Sequence, residues 1–240
     1  MLRSPLRQER TVNHHAASMA RNSLRDGLGS PFRRELYRNG AQRRMRTQAT
    51  REIFDHWVQL CGDQAAPLRT QIDPMLLRRV LPHLFIVITE GSDDPTFRLA
   101  GTRICDLFGT ELKGLAFKAI WSDSRNAQPL EICRSAIQYE RPALLDVLAE
   151  GMNGSRPYEM LLLPLRPGPE ASDRVLGALV PQAQALSVAS PPINGLALQK
   201  WTFLEKDGAK QTPEDTDAQR DGPAMRGLLG LRSFGTGRAF

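Results

Sequence analysis

The side chains of this 240-residue chain best suited to metal or nucleophilic chemistry are four histidines and three cysteines: His14, His15, His56, His83, Cys61, Cys105 and Cys133. A metal site needs several such ligands at short spacing, as in CxxC or HExxH, and neither pattern occurs. His83 stands between Pro82 and Leu84, at the entrance of an apolar run, and reads as a structural or surface residue. His14 and His15 lie in an Arg-rich stretch and would bind metal only adventitiously. A cysteine becomes a nucleophile where a cationic setting or a helix N-terminus lowers its pKa. Cys105, just after Arg103 at the start of a short helix, is the candidate for that chemistry. Cys61 and Cys133 fall on apolar helix faces, and for all three cysteines the preferred reading is a small buried hydrophobe. The run 109–114, GTELKG, lacks the Lys-Ser/Thr that closes a phosphate loop, and no GxGxxG follows a strand. Asp93 and Asp94 fall in a turn cluster, and no Ser-His-Asp set can be assigned. The chain is therefore expected not to be an enzyme.

The elements that must position these residues are legible from periodicity. Ile53, Phe54, Trp57, Val58 and Cys61 lie on one face of a helix over Gln48–Cys61, and Gly62 offers its stop. Asp73 and Pro74 are a favoured N-cap and first-turn pair, so a short helix is predicted over 74–81, ended by Pro82. The run 84–89, LFIVIT, predicts a buried strand. It forms a hairpin with Thr96–Ala100 across a turn cluster at 91–95. A short helix over 103–108 and a turn over 110–113 follow, closed by Gly109 and Gly114. A longer helix is predicted over 126–138, then strands over 143–149, 157–165 and 174–180. A loop over 187–195 leads to a last apolar piece, 196–204, of uncertain type. Strands flanking a run of helices indicate an α+β domain with a five-stranded antiparallel sheet, short helices on one face and an N-terminal helix.

Net charge is +6, but it is unevenly placed: residues 1–50 carry eleven Arg, no Lys and three acids (+8), while residues 51–240 carry 21 basic and 23 acidic residues (−2). A body whose whole surface binds polyanions is thus excluded. The predicted organisation is a basic, disordered arm over 1–44, a folded domain over 45–205 and a polar, Gly-rich, disordered tail over 206–240. Nothing near 31–37 is expected to bury a helix there. Met19 and Met45 are internal methionines at which translation could start, leaving part of the arm unmade. No run reaches the roughly 18 apolar residues that a membrane span needs. Few, widely spaced cysteines and no secretory signal fit a reducing cytoplasm. RxxxR spacings at Arg21–Arg25 and Arg34–Arg38 occur in some cyclic-dinucleotide receptors, but the companion [DN]xSxxG element is missing.

Several words occur in order along the chain. They are Trp57, then Pro67-Leu68-Arg69, Ile72-Asp73-Pro74 and Leu81-Pro82-His83-Leu84. Next come Phe97-Arg98-Leu99-Ala100-Gly101-Thr102, Phe108-Gly109, Glu111-Leu112 and Gly114, and last Leu163-Pro164-Leu165. Over 48–180 this order resembles a bacterial family of small stand-alone PAS proteins. The residue chemistry gives several of these positions fold-making roles. Gly101 would release the chain from the second strand without Cβ strain, the Thr102 hydroxyl would cap the next helix, and Gly109 and Gly114 would end successive short helices.

The resemblance implies a sensory or regulatory module acting through protein–protein contact, gated by a small ligand between sheet and helices. Leu107, Phe108, Phe117, Trp121, Ile137 and Leu162 are the candidate lining, with a filled core as the preferred alternative. Haem is disfavoured, since helix 126–138 has no His to ligate it. A covalent flavin is disfavoured too, since Cys105 sits in Arg-Ile-Cys-Asp and not in the Asn-Cys-Arg word of flavin photosensors. The apolar face of Gln48–Cys61 is expected either to cover its own sheet or to pair with a second copy. Partners are therefore a signalling protein or self-association. The rival function is a nucleic-acid or anionic-surface binder working through the Arg-rich arm. Few aromatics interleave the arginines, which weighs against nucleic acid.

Overall fold

The computed structural model describes residues 31–89, 94–122, 127–152, 154–182 and 192–204, all within the first of the chain's two units, Met1–Asp207. In order the elements are α1 (Pro31–Gln42), α2 (Gln48–Cys61), β1 (Leu84–Ile88), β2 (Thr96–Ala100), α3 (Thr102–Phe108), α4 (Ala127–Gln138), β3 (Ala143–Gly151), β4 (Gly154–Leu165), β5 (Arg174–Pro181) and β6 (Ile193–Phe203). Short 3-10 turns occur at Arg69–Gln71, Leu81–His83 and Phe117–Ile120. The strands form one sheet in the order β2-β1-β5-β4-β3-β6, every neighbouring pair antiparallel. The α+β class with an antiparallel sheet is as expected. The sixth strand, Ile193–Phe203, takes in most of the apolar piece at 196–204 and also the last residues of the predicted loop 187–195, because Ile193 and Gly195 pair with Gly151 and Glu150 of β3; residues 187–191 of that loop lie outside the described residues.

Side-chain alternation along β4 shows how the layers form. Tyr158, Met160 and Leu162 face a core shared with α3, α4 and the 117–121 segment. Leu161, Leu163 and Leu165 face the opposite side, where they meet Ile53, Phe54, Trp57 and Val58 of α2. The sheet is therefore buried on both faces, by short helices on one and by α1 and α2 on the other. Burying each of the larger α2 side chains contributes roughly 1.5–3 kcal/mol. The expectation that this face either covers its own sheet or pairs with a second copy is resolved in favour of the sheet.

Thr47 caps α2, accepting from the Thr50 amide at 3.1 Å. The polar end of the helix is tied to β4 by Glu159, whose side chain is fully buried. Its carboxylate accepts from the Arg46 amide at 2.7 Å, from the Thr47 amide at 3.2 Å and from the Thr50 hydroxyl. A carboxylate at a helix N-terminus meets free amides and the positive end of the helix dipole.

Order also begins earlier than Met45. α1 packs on the outer core through Tyr37 and Ala41, and the Tyr37 hydroxyl donates to the Leu204 carbonyl at 2.8 Å. Met45 itself is buried. The expectation that nothing buries a helix at 31–37 fails, because its partner lies 167 residues away in sequence. The expectations for 1–30 and for 205–240 lie outside the described residues. The predicted helix at 74–81 is instead a chain of turns, with amide-to-carbonyl bonds of 3.2 Å from Leu77 to Pro74 and 2.9 Å from Val80 to Leu77. Asp73 does accept from the Met75 amide at 2.8 Å, as a cap would.

Candidate functional site

The words read from the sequence meet in pairs. Pro164 stands in β4 beyond the end of β3, so its missing amide leaves no broken rung on that side. Its carbonyl accepts the Trp57 indole N–H at 2.9 Å. The next residue but one, Arg166, exchanges backbone bonds with Pro67 and Arg69, at 3.0 and 2.9 Å. Trp57, Pro67-Leu68-Arg69 and Leu163-Pro164-Leu165 are therefore one joint.

A second joint is made by Gly101. Its φ is −71°, so no left-handed conformation is required. The reason for glycine is space: a Cβ there would lie 2.4 Å from the Pro82 carbonyl oxygen and 2.5 Å from that of Leu81. Gly101 itself occupies the N-cap of α3, and no side chain caps the helix, so the predicted role of the Thr102 hydroxyl is not realised. Gly109 does end α3 in the left-handed region, at φ +67°. Gly114 has φ +85° but closes a turn and no helix. Arg98 is the extra residue of a bulge, since Phe97 pairs with Val87 and Leu99 with Ile86. The bulge lets both Phe97 and Ala100 face the core, and leaves Arg98 and Leu99 exposed.

All six candidate lining residues belong to one cluster. Phe117, Trp121, Ile137 and Leu162 are buried in it, and Leu107 and Phe108 pack against it half-buried. The aromatic rings form a chain. Phe85 and Phe97 lie 5.5 Å apart, Phe97 and Phe117 5.8 Å, and Phe117 and Trp121 5.7 Å, the last pair edge-on. The Phe85 ring lies directly over Gly177, where a Cβ would fall 2.0 Å from it.

One atom in this apolar interior is out of place. Trp121 is 7% exposed, and its indole Nε1–H is buried with no acceptor among the described residues. Leaving a buried donor unpaired costs about 1–3 kcal/mol, so this N–H is either a tolerated defect or half of an interaction. Nothing in the sequence signals it, because it depends on which acceptors the fold fails to bring near.

The titratable candidates fall elsewhere. Cys133 is fully buried on α4, and burial pushes its thiol up to about 12, so it is an inert core residue. Cys105 is partly exposed and its thiol points at the Ala100 carbonyl, 3.9 Å away. Cys61 is buried on α2. The His83 Nδ1 lies 3.2 Å from the Leu179 carbonyl. Burial, reinforced by nearby Arg103, lowers the His83 pKa against the pull of that bond. His56 is lowered by burial, with Asp73 opposing, and its Nε2 is a second polar atom without a partner among the described residues. No group of three His, Cys, Asp or Glu that could hold a metal occurs among the described residues. A cleft of about 330 Å³ opens at the C-terminal end of α2, lined by Leu60, Cys61, Gly62 and Gln71 among others, away from the six candidates.

A family model described as PAS domain matches residues 45–180, more than half of the chain. The chain belongs to the PAS domain family. No curated protein matches it significantly. The PAS match runs from just before α2 to the end of β5, and so includes both joints and all six candidate residues. Two elements of the folded part lie outside it, α1 and β6. They are linked to each other by the Tyr37–Leu204 hydrogen bond.

Proposed function

We propose that this PAS domain is a sensory or regulatory module, gated by a small ligand in the interior between the sheet and α3, α4 and the 117–121 segment, and read out by contact with a signalling protein. The observation that carries this reading is the orphaned Trp121 indole. A ligand suited to the place is small and mostly apolar, with one acceptor for that N–H. The protein's own route from ligand to partner runs through β4. Met160 and Leu162 touch the interior, while Glu159, Leu161 and Leu163, alternating with them, hold α2 on the other face. A ligand that favoured one packing of the interior would bias how firmly α2 is held, a population shift between two arrangements. Native mass spectrometry, before and after exposure to a small-molecule extract of cells, tests the reading. The expected result is an added small mass on the wild-type chain, held more weakly by Trp121→Phe. A bare polypeptide mass under both conditions overturns it.

A further inference from the structure

We propose that the turn over 74–81 is a docking surface for an anionic lipid membrane, which Met75 and Leu76 enter while Arg78 and Arg79 meet its head groups. The surface is independent of the interior site. Met75 and Leu76 are each 70% exposed, adjacent in sequence and preceded by Pro74, which is also exposed. They are held out by a rigid scaffold and do not dangle. Leu77 and Val80 anchor the turn in the outer core, Asp73 accepts from the Met75 amide at 2.8 Å, and the Leu81 amide donates to the Leu77 carbonyl at 2.9 Å. Apolar side chains presented this far into water mark a contact surface.

Charge selects the partner. Over 73–81 the charged residues are Asp73, whose carboxylate is turned onto the Met75 amide, and Arg78 and Arg79, so the turn carries one net positive charge. Both arginines are exposed and make no ion pair among the described residues. The two exposed arginines favour an anionic occupant, which must also accept two protruding apolar side chains. A second copy of the chain would bring arginines against arginines about a two-fold axis. Nucleic acid offers phosphate but little that takes up Met and Leu. A convex turn needs a partner that supplies the cavity, and the acyl region of a bilayer does so without a preformed pocket. Basic residues beside the inserted pair add roughly 1 kcal/mol each near an anionic leaflet, about a fivefold gain in partition.

Sedimentation of the full chain with phosphatidylcholine vesicles, with and without phosphatidylglycerol, at low salt is the test. Wild-type protein should partition to the anionic vesicles. Met75→Ser with Leu76→Ser, and separately Arg78→Glu with Arg79→Glu, should each lower that partition about tenfold or more, while both variants keep the wild-type melting temperature because all four side chains are exposed. Failure of the wild-type chain to bind anionic vesicles overturns the proposal. So does binding that survives both double variants, which would place it in the Arg-rich residues 1–30. Loss in the arginine variant alone would leave Met75 and Leu76 outside the contact and overturns it as well. Capture on immobilised polyglutamate that depends on Met75 and Leu76, without vesicle binding, would make the occupant an acidic protein and would also overturn it.

Discussion

At the scale of single residues, glycines with different physical reasons predict different substitution patterns. Gly101 lacks room, whereas Gly114 has nothing within 4 Å of where a Cβ would fall and a φ of +85°. Gly101→Ala must push the carbonyls of Leu81 and Pro82 away and should cost about 1–3 kcal/mol, and Gly101→Asn should be worse. Gly114→Ala should cost about 1–2 kcal/mol for the left-handed backbone, and Gly114→Asn should recover part of that, since Asn tolerates the conformation. Denaturant melts of the four variants separate the two causes; an Asn that rescued both sites would refute the steric account of Gly101. Glu159 makes the sharper single-residue prediction. Replacing it with Ala strands the Arg46 and Thr47 amides, while the Thr50 hydroxyl keeps the Thr47 carbonyl as acceptor at 3.0 Å, at a cost of about 3 kcal/mol. Glu159→Gln keeps the shape but loses the charge-assisted bonds, so it should fall between Ala and wild type.

At the scale of elements, Tyr37 and Leu204 decide what the folded unit contains. A chain beginning at Met45 loses the burial of Tyr37 and Ala41 and the Tyr37–Leu204 bond, roughly 3 kcal/mol in all. Tyr37→Phe should cost only about 1 kcal/mol. Equal melting of the shortened and full chains would place α1 outside the cooperative unit. This is also where the sequence was hardest to read. The α2 face, the β1–β2 hairpin and strands β3, β4 and β5 announce themselves through local periodicity. In α1 and β6 the burial comes from residues distant in the chain, and no local pattern reports that. The run 74–81 misled for a different reason. Its cap is good, but seven residues between two prolines give too few bonds to repay helix nucleation, and Leu77 and Val80 at a spacing of three are served as well by successive tight turns. Among site residues, the apolar six were legible as a cluster because their types and spacing suit a core. The Trp121 orphan was not, since an absent acceptor has no sequence signature.

At the scale of the whole molecule, its buried titratable groups set how stability depends on pH. His56 and His83 both resist protonation in the fold, chiefly because they are buried. In the unfolded chain each takes a proton near its ordinary 6.5. The unfolded state therefore binds more protons below that value, and stability falls as pH drops through 6.5 towards the folded values. Burial alone would raise the Glu140 carboxyl, but Arg166, bonded to it at 2.7 and 2.6 Å, and Ser172 outweigh that and hold it below its usual 4.5. Its contribution is present above 4.5 and is lost as pH falls through the lower folded value. Asp55 works in the opposite sense: burial raises it despite Arg38 and Gln42, so acidification relieves a cost there. The net expectation is a melting temperature that declines in two stages, the first beginning near pH 6.5 and the second below pH 4.5, with Asp55 blunting the second. His56→Gln combined with His83→Gln should flatten the first stage and leave the second, because Gln places a neutral polar group where the folded imidazole was neutral. A first stage unchanged in that double variant would mean that other groups carry the acid response and that neither histidine is held neutral by the fold.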